Sequence, residues 1–241
     1  ISGDSIKDQT QAVIVYPMNA LINSQFKALE DFKTRYEEKY GKIFPITFAQ
    51  YTGQEDEETK EKIRNNPPHI LLTNYMMLEL VMTRGGRDVE IRENVFNNMK
   101  FLVFDELHTY RGRQGSDVSI LIRRIKAGAK NKVTCIGTSA TMVSSELTSL
   151  ADQKQEVAKV GSLIFGTDIT PEQIINESLI KSIDEDFQVT PDDLSAVITQ
   201  PINLEWSFSK FESYPTSNWL EENIKKKKKE GTYIRRRPVT I

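Results

Sequence analysis

The chain has 241 residues, of which 38% are hydrophobic and 27% charged, and its net charge at pH 7 is −2. This composition is typical of a globular protein and excludes a wholly disordered chain. No apolar run approaches the roughly 18 residues of a membrane span, and one cysteine with two histidines excludes a disulfide framework and a multi-cysteine zinc site. We therefore expect a protein of the cytoplasm, without a membrane partner.

The first 147 residues alternate between strand-like and helix-like segments. In chain order, the pattern predicts a strand at 12–16, a helix at 19–40, a strand at 46–51, a helix at 54–65, a strand at 69–73, a helix at 75–83, a strand at 101–104, a helix at 116–127 and a strand at 133–136. Strands that alternate with helices, each nearly continuous in apolar residues, predict a mostly parallel sheet that is buried on both faces.

The pattern changes after residue 147. Strand signals fade, and helical stretches at 151–165 and 171–183 dominate before prolines interrupt the later segments. We expect an α/β domain over residues 1–147 and a mainly helical extension over 148–241.

Two carboxylates, Asp105 and Glu106, follow the strand at 101–104, and His108 comes shortly after them. Ligands of open parallel sheets bind beyond the carboxyl ends of the strands. A carboxylate in that position can hold Mg²⁺ through its waters, and a second one can accept a proton from an attacking water. The same pair could instead begin a helix and complement its dipole, which is the interpretation we would favour for an isolated Asp-Glu pair.

Hydroxyl and amide side chains follow other strands of the sheet. These residues are Asn19 after the first strand, Thr73 and Asn74 after the third, and Ser139 and Thr141 after the fifth. Pro17 precedes Asn19 at the predicted helix start, where backbone amides are free. Donors at strand ends and helix starts can bind a phosphate backbone. Each segment taken alone could equally be an ordinary helix cap.

In this order, the segments resemble the motifs of the first RecA-like motor domain of superfamily 2 DExH-box helicases. The matching segments are Pro-Met-Asn-Ala at 17–20, Tyr-Thr-Gly at 51–53, Thr-Asn at 73–74, Asp-Glu-Leu-His at 105–108 and Ser-Ala-Thr at 139–141. The longer stretch at 105–117 and VGSLIFG at 160–166 are similar to large bacterial helicases of the MrfA-like repair and phage-defence type. The resemblance covers about residues 12–142 and implies a RecA-like three-layer α/β sandwich.

The resemblance also implies roles for the matching residues. Asp105 would position Mg²⁺ and ATP through water, and Glu106 would activate the attacking water. His108, Ser139 and Thr141 would couple the nucleotide state to a second RecA-like domain. The residues that would contact nucleic acid are Pro17, Asn19, Gly53, Thr73 and Asn74. Arg111 and Arg113, in the polar loop after the Asp-Glu-Leu-His segment, could contact DNA or simply be loop residues.

One part of the family pattern does not occur in these 241 residues. A G-x-x-x-x-G-K-[ST] loop would cradle the β- and γ-phosphates, but the one Gly-Lys pair, Gly41-Lys42, lacks the upstream glycine. We therefore expect a fragment of an ATP-dependent DNA helicase or translocase, inactive alone, whose full-length form uses Mg²⁺ and ATP. Its partners would be a second motor domain of the same chain and single-stranded or partly duplex DNA, or RNA. The alternative is a non-catalytic nucleic-acid-binding or scaffold module with a helicase-like fold.

Overall fold

The structure is a computed structural model that describes residues 9–110, 112–139, 149–176, 189–197, 199, 207–221, 226–229 and 232–235. The chain divides into two compact units, residues 1–174 and 175–241. This boundary lies further along the chain than the predicted 147/148, because helix α6 (Leu150–Phe165) packs on helix α5 (Gly112–Gly128) of the first unit. Arg123 of α5 donates a hydrogen bond to the Leu163 carbonyl at 3.0 Å.

The first unit contains a five-stranded sheet with the order β2-β3-β1-β4-β5. The strands are β1 (Ala12–Tyr16), β2 (Phe48–Gln50), β3 (Ile70–Asn74), β4 (Phe101–Phe104) and β5 (Thr134–Gly137). All neighbouring strands are parallel, which confirms the predicted sheet. The register pairs Val15 with both Thr73 and Phe104, so the central strands end at the same level.

Helices connect the strands and cover the sheet. In addition to α5 and α6 they are α1 (Asn19–Tyr40), α2 (Glu57–Asn65), α3 (Tyr75–Thr83) and α4 (Val89–Asn98). Gly41 ends α1 in the left-handed conformation, with φ 61°, and its amide donates to the Glu37 carbonyl. Asp56 caps α2 by accepting a hydrogen bond from the Thr59 amide at 2.7 Å. Helix α4 was not predicted, because only Ile91 and Val95 of its ten residues are buried.

Alternate residues of β1 divide the core into two clusters. Val13 and Val15 belong to the large cluster, which also contains buried residues of α3, α4 and α5. Ile14 and Tyr16 belong to a smaller cluster with Ile22 of α1. The centre of the sheet is therefore covered on both faces, as the alternation of side chains in a strand requires.

The prediction that the sheet is buried on both faces is wrong for β4 and β5. Phe101 and Ile136 are 44% and 43% exposed. Their strand neighbours Leu102 and Cys135 pack in the large cluster on the opposite face. On the face of the smaller cluster, α1 is the described helix that covers the sheet, and it lies over β1, β2 and β3. On this face, β4 and β5 are therefore left without a described helix over them.

The described part of the second unit contains short helices and a hairpin. The helices are α7 (Pro191–Val197), α8 (Phe208–Glu212) and α9 (Pro215–Leu220), in agreement with a more helical C-terminal segment. Strands β6 (Lys226–Lys229) and β7 (Thr232–Arg235) pair antiparallel. The hairpin was not predicted, because a run of lysines is usually solvated and has low strand propensity.

The structure does not show the α-helix predicted at 171–183 in the part of that segment that it describes. Residues Pro171–Gln173 form a 3₁₀ turn, and residues 177–183 lie outside the described part of the chain. No helix in the described ranges has both the length and the apolar character needed to cross a membrane.

Candidate nucleotide site and nucleic-acid edge

Asp105 and Glu106 lie where β4 ends, at the carboxyl edge of the sheet. The Asp105 amide donates to the Val15 carbonyl at 2.9 Å and thereby extends the pairing of β4 with β1. Glu106 has φ 50° and ψ 52°, a left-handed conformation that costs about 1–2 kcal/mol for a residue with a side chain. The Glu106 side chain makes no capping hydrogen bond, and only the 3₁₀ turn Leu107–Thr109 follows. The pair therefore does not serve as the start of an α-helix here.

Thr138, the residue after β5, holds this turn in place. Its hydroxyl donates a hydrogen bond to Oδ1 of Asp105 and accepts one from the Glu106 amide at 3.2 Å. Its carbonyl accepts from the Leu107 amide at 2.7 Å. The sequence analysis missed Thr138 and selected its neighbours. The sequence shows that Thr138 is the first hydroxyl residue after the fifth strand, but its contact with Asp105 depends on the register of β4 and β5, which the sequence does not specify.

His108 connects Glu106 to Ser139. Its Nδ1 atom lies 3.1 Å from the Ser139 hydroxyl and 3.1 Å from Oε2 of Glu106. Which atom donates depends on the tautomer and protonation of the ring. Oε2 of Glu106 is buried and has no well-aligned hydrogen bond within the described residues. The structure thus brings together three predicted residues, whereas Thr141 lies outside the described ranges.

Two buried tyrosines, Tyr16 and Tyr110, lie close to Asp105. Burial, and then the negative charge of Asp105, raises the pKa of Tyr16 to about 12. The same causes raise the pKa of Tyr110, whose buried hydroxyl has no hydrogen-bond partner among the described residues. Both rings are therefore neutral at pH 7.

The donor set at this edge fits a magnesium ion that is bound largely by water and phosphate. Nowhere in the described ranges do three or more acidic, histidine or cysteine side chains form a group that could hold a metal. Mg²⁺ at phosphate sites commonly uses only one or two carboxylates and keeps several waters. Asp105 has Oδ1 fixed by Thr138, and no hydrogen bond between described residues engages its Oδ2. It is thus the residue that could contribute such a carboxylate.

Two of the residues predicted to contact nucleic acid, Asn19 and Asn74, meet at the same edge, on the other side of Tyr16. Nδ2 of Asn74 donates to Oδ1 of Asn19 at 2.8 Å, so these two side chains are in contact. Asn74 also caps α3, since its Oδ1 accepts from the Met77 amide at 2.8 Å. No side chain caps α1. Met18 and Met76 are 56% and 63% exposed beside these helix starts.

The remaining predicted contacts differ in accessibility. Thr73 is buried, and its hydroxyl donates to the Tyr51 carbonyl at 2.7 Å. This side chain therefore links β3 to the residue after β2 and does not face the solvent. Gly53 is exposed and has open space where a side chain would be. Pro17 is half-buried, and Arg113 is exposed in the first turn of α5. Arg111 lies outside the described residues.

Comparison with known protein families matches residues 2–150 to the DEAD/DEAH box helicase family. Druantia protein DruE of Escherichia coli is 30% identical over 208 residues, which cover 72% of this chain and 11% of DruE. The uncharacterized ATP-dependent helicase YprA of Bacillus subtilis is 34% identical over 122 residues, which cover 50% of this chain and 15% of YprA. The chain thus spans less than a fifth of either protein.

The fold has a counterpart among solved structures. The crystal structure of the DUF1998 helicase MrfA bound to DNA superposes with a TM-score of 0.50 and 26% sequence identity. The match covers 67% of this chain and 19% of the MrfA chain.

Proposed function

Because the chain belongs to the DEAD/DEAH box helicase family, we propose that it forms the first motor domain of an ATP-dependent helicase or translocase. The observation that carries this proposal is the hydrogen-bonded group of Asp105, Glu106 and Thr138 at the carboxyl edge of the sheet. The similarity to YprA, which is named an ATP-dependent helicase, supports it. The whole motor would include a second RecA-like domain in the same polypeptide.

Mg²⁺ and ATP are the cofactors that we infer for the whole motor. Together they supply the phosphoryl group and the cation that neutralises its charge. Asp105 would hold the ion through water molecules, with its carboxylate oriented by the Thr138 hydroxyl. Glu106, the adjacent carboxylate, would accept the proton of the attacking water. The left-handed backbone of Glu106 supports this assignment, because strained conformations persist mainly where a functional orientation requires them.

We infer that His108 and Ser139 transmit the state of the nucleotide. A proton gained by Glu106 changes the electrostatic field at Nδ1 of His108, which lies 3.1 Å away. That change alters the contact between His108 and Ser139 in the segment after β5. Thr141, which follows Ser139 in the same motif, would share the role of linking this segment to the second motor domain.

Single-stranded or partly duplex DNA is the substrate that we propose, with RNA as the other nucleic acid of the same backbone chemistry. The exposed or half-exposed groups of Pro17, Asn19, Gly53 and Asn74 would hold the sugar-phosphate backbone, and Arg113 would add a positive charge. Donors along a sheet edge bind a backbone without reading its sequence. The similarity to MrfA, which was crystallised with DNA, supports this choice. The cytoplasm is the location we infer, since ATP and nucleic acid meet there.

The test is ATP hydrolysis by the full-length polypeptide, measured with and without single-stranded DNA. We expect hydrolysis that DNA stimulates. The alternative function, a non-catalytic nucleic-acid-binding or scaffold module, would give DNA binding without hydrolysis under either condition, and that result would contradict the proposal.

A further inference from the structure

A positively charged cavity of about 400 Å³ lies between α2 and the loop that joins α3 to α4. The basic residues that line it are Lys60, Arg64, Arg84 and Arg87, and the acidic ones are Glu57 and Asp88. Four cations against two carboxylates leave a net charge of +2. Nothing in the motifs of the candidate nucleotide site accounts for this concentration of positive charge.

The floor of the cavity is a buried network that is already satisfied. The Tyr51 hydroxyl donates to Oδ1 of Asp88 at 2.6 Å, and Nε of Arg64 donates to the Tyr51 hydroxyl at 3.3 Å. The side chains of Arg64 and Asp88 are 10% and 12% exposed and lie 3.8 Å apart. Nη2 of Arg64 also donates to Oε1 of Glu57 at 2.5 Å. Because Arg64 is paired with both Asp88 and Glu57, its charge is neutralised, and the floor provides rigidity rather than a binding charge.

The cations of the cavity wall are available to a ligand. Arg87 is 79% exposed and lies 3.7 Å from Glu57, and such exposed pairs contribute at most about 1 kcal/mol. Among the described residues, no acidic side chain lies within ion-pair distance of Lys60 or Arg84. Arg64, Arg87 and Lys60 together lower the pKa of Glu57, with the Arg64 hydrogen bond as the main cause. These positive groups therefore converge on one region.

Gly85 and Gly86 form a part of the cavity wall that carries no side chains. Gly86 has φ 94°, a conformation that side chains rarely adopt, and a side chain at Gly85 would meet open space. The loop therefore presents bare main chain between the guanidinium groups of Arg84 and Arg87. A ligand backbone can approach such a wall closely, as glycine-rich phosphate loops illustrate.

The cavity adjoins the edge where Asn19 and Asn74 meet. Met77 lines the cavity, and its amide donates to the side chain of Asn74. Tyr51, on the floor, is bound through its carbonyl to Thr73, the residue before Asn74. The cavity thus begins within one helical turn of the Asn19–Asn74 pair, on the β2 side of the sheet.

We propose that this cavity binds a phosphodiester group of the nucleic-acid strand as the strand leaves the sheet edge, with Arg84, Arg87 and Lys60 as its contacts. Guanidinium groups bind phosphate through paired hydrogen bonds, and Lys60 adds a point charge. The inference rests on the proposed function, because it extends the nucleic-acid path beyond Asn74.

The test is the affinity of the 241-residue chain for a fluorescent oligothymidine over a series of salt concentrations. Arg84→Glu and Arg87→Glu are each compared with Arg35→Glu, which makes the same charge change on α1. Among the described residues, Arg35 is hydrogen-bonded to the Asp31 carbonyl of its own helix and has no acidic side chain within ion-pair distance. Each cavity variant should weaken binding about tenfold and reduce the slope of log affinity against log salt by about 1. Arg35→Glu should change binding no more than about twofold, because screening limits the effect of a distant exposed charge.

The outcomes separate this inference from the proposed function. If the unmodified chain binds the oligothymidine but both cavity variants behave like Arg35→Glu, the cavity assignment is wrong and the proposed function stands. If the unmodified chain does not bind, the cavity assignment is wrong, whereas the proposed function is decided separately by ATP hydrolysis of the full-length polypeptide. Cavity variants that weaken binding of inorganic pyrophosphate but not of the oligothymidine would assign the cavity to a small phosphate compound and overturn the inference. Unchanged melting temperatures of the variants exclude misfolding as the cause.

Discussion

The Thr138 hydroxyl donates a hydrogen bond to Oδ1 of Asp105, so the residue after β5 orients the carboxylate after β4. The same hydroxyl accepts from the Glu106 amide at 3.2 Å. One uncharged side chain therefore fixes both the proposed metal-positioning group and the backbone of the proposed base. This relationship depends on the register of β4 and β5, which places Gly137 opposite Phe104.

We predict that Thr138→Val lowers ATP turnover of the full-length protein about 10- to 100-fold, since a hydrogen bond to a charged group contributes about 1.5–3 kcal/mol. Thr138→Ser keeps the hydroxyl and should restore most of the turnover. Thr134→Val makes the same change at the exposed start of β5 and serves as the control. Equal turnover in the Thr138→Val and Thr134→Val variants would show that the Thr138 hydroxyl does not orient Asp105.

The 241-residue chain alone should hydrolyse ATP no faster than the background. Phosphoryl transfer depends on positioning and charge stabilisation, and these residues contain no G-x-x-x-x-G-K-[ST] loop to hold the β- and γ-phosphates. Phosphate release with and without single-stranded DNA is the measurement, with the full-length protein as the positive control. DNA-stimulated hydrolysis by the isolated chain would disprove this prediction.

Asn19→Ala and Asn74→Ala should weaken DNA binding but differ in their effect on stability. Asn74 caps α3, so its loss should cost about 1 kcal/mol of folding free energy and lower the melting temperature. Asn19 does not cap a helix through its side chain but accepts a hydrogen bond from Asn74, so its replacement should lower the melting temperature less than that of Asn74, which loses both this bond and the cap. Oligothymidine affinity and thermal melting of the two variants distinguish these roles. Unaltered affinity in both variants would remove this edge from the nucleic-acid path.

Alkaline pH should destabilise the first unit through Tyr16. Burial and the charge of Asp105 raise the pKa of Tyr16 from 10.0 to about 12, so the folded state favours the protonated ring. This contribution to stability is complete below pH 10, the unfolded value, and is lost as the pH rises towards 12. In Tyr16→Phe the melting temperature should fall less steeply above pH 10.

Tyr40→Phe, at an exposed tyrosine near the end of α1, serves as the control for this measurement. An equally steep loss of melting temperature in Tyr16→Phe and in the unmodified chain would contradict the role given to Tyr16. The melting temperature of Tyr16→Phe should still fall somewhat above pH 10, because burial also raises the pKa of Tyr51 and of Tyr75 to about 12.

The sequence predicted the sheet and its edge because both follow from local patterns. Apolar runs locate the strands, and parallel strands place the residues that follow them at one edge of the sheet. At that edge, Nδ2 of Asn74 lies 2.8 Å from Oδ1 of Asn19. Their contact with nucleic acid stays a prediction.

Thr138 could not be selected in the same way. A shift of one residue in the register of β5 would turn a neighbouring side chain towards Asp105 instead, and the sequence does not specify that register. The positively charged cavity could not be predicted from the sequence for a similar reason. Lys60 and Arg87 belong to separate helical and loop segments, and only the packing of α2 beside the loop before α4 brings them together.

The most direct test of the proposed site is ATP turnover by Glu106→Gln in the full-length protein, with nucleotide affinity, DNA affinity and melting temperature measured alongside. Glutamine keeps the size of the side chain but cannot accept the proton, so turnover should fall by about 10²–10⁴ while both affinities persist. Asp105→Asn is the matched variant, and it should also weaken binding of Mg²⁺ and ATP. Near-normal turnover in Glu106→Gln would contradict the assignment of Glu106 as the base and, with it, the central claim.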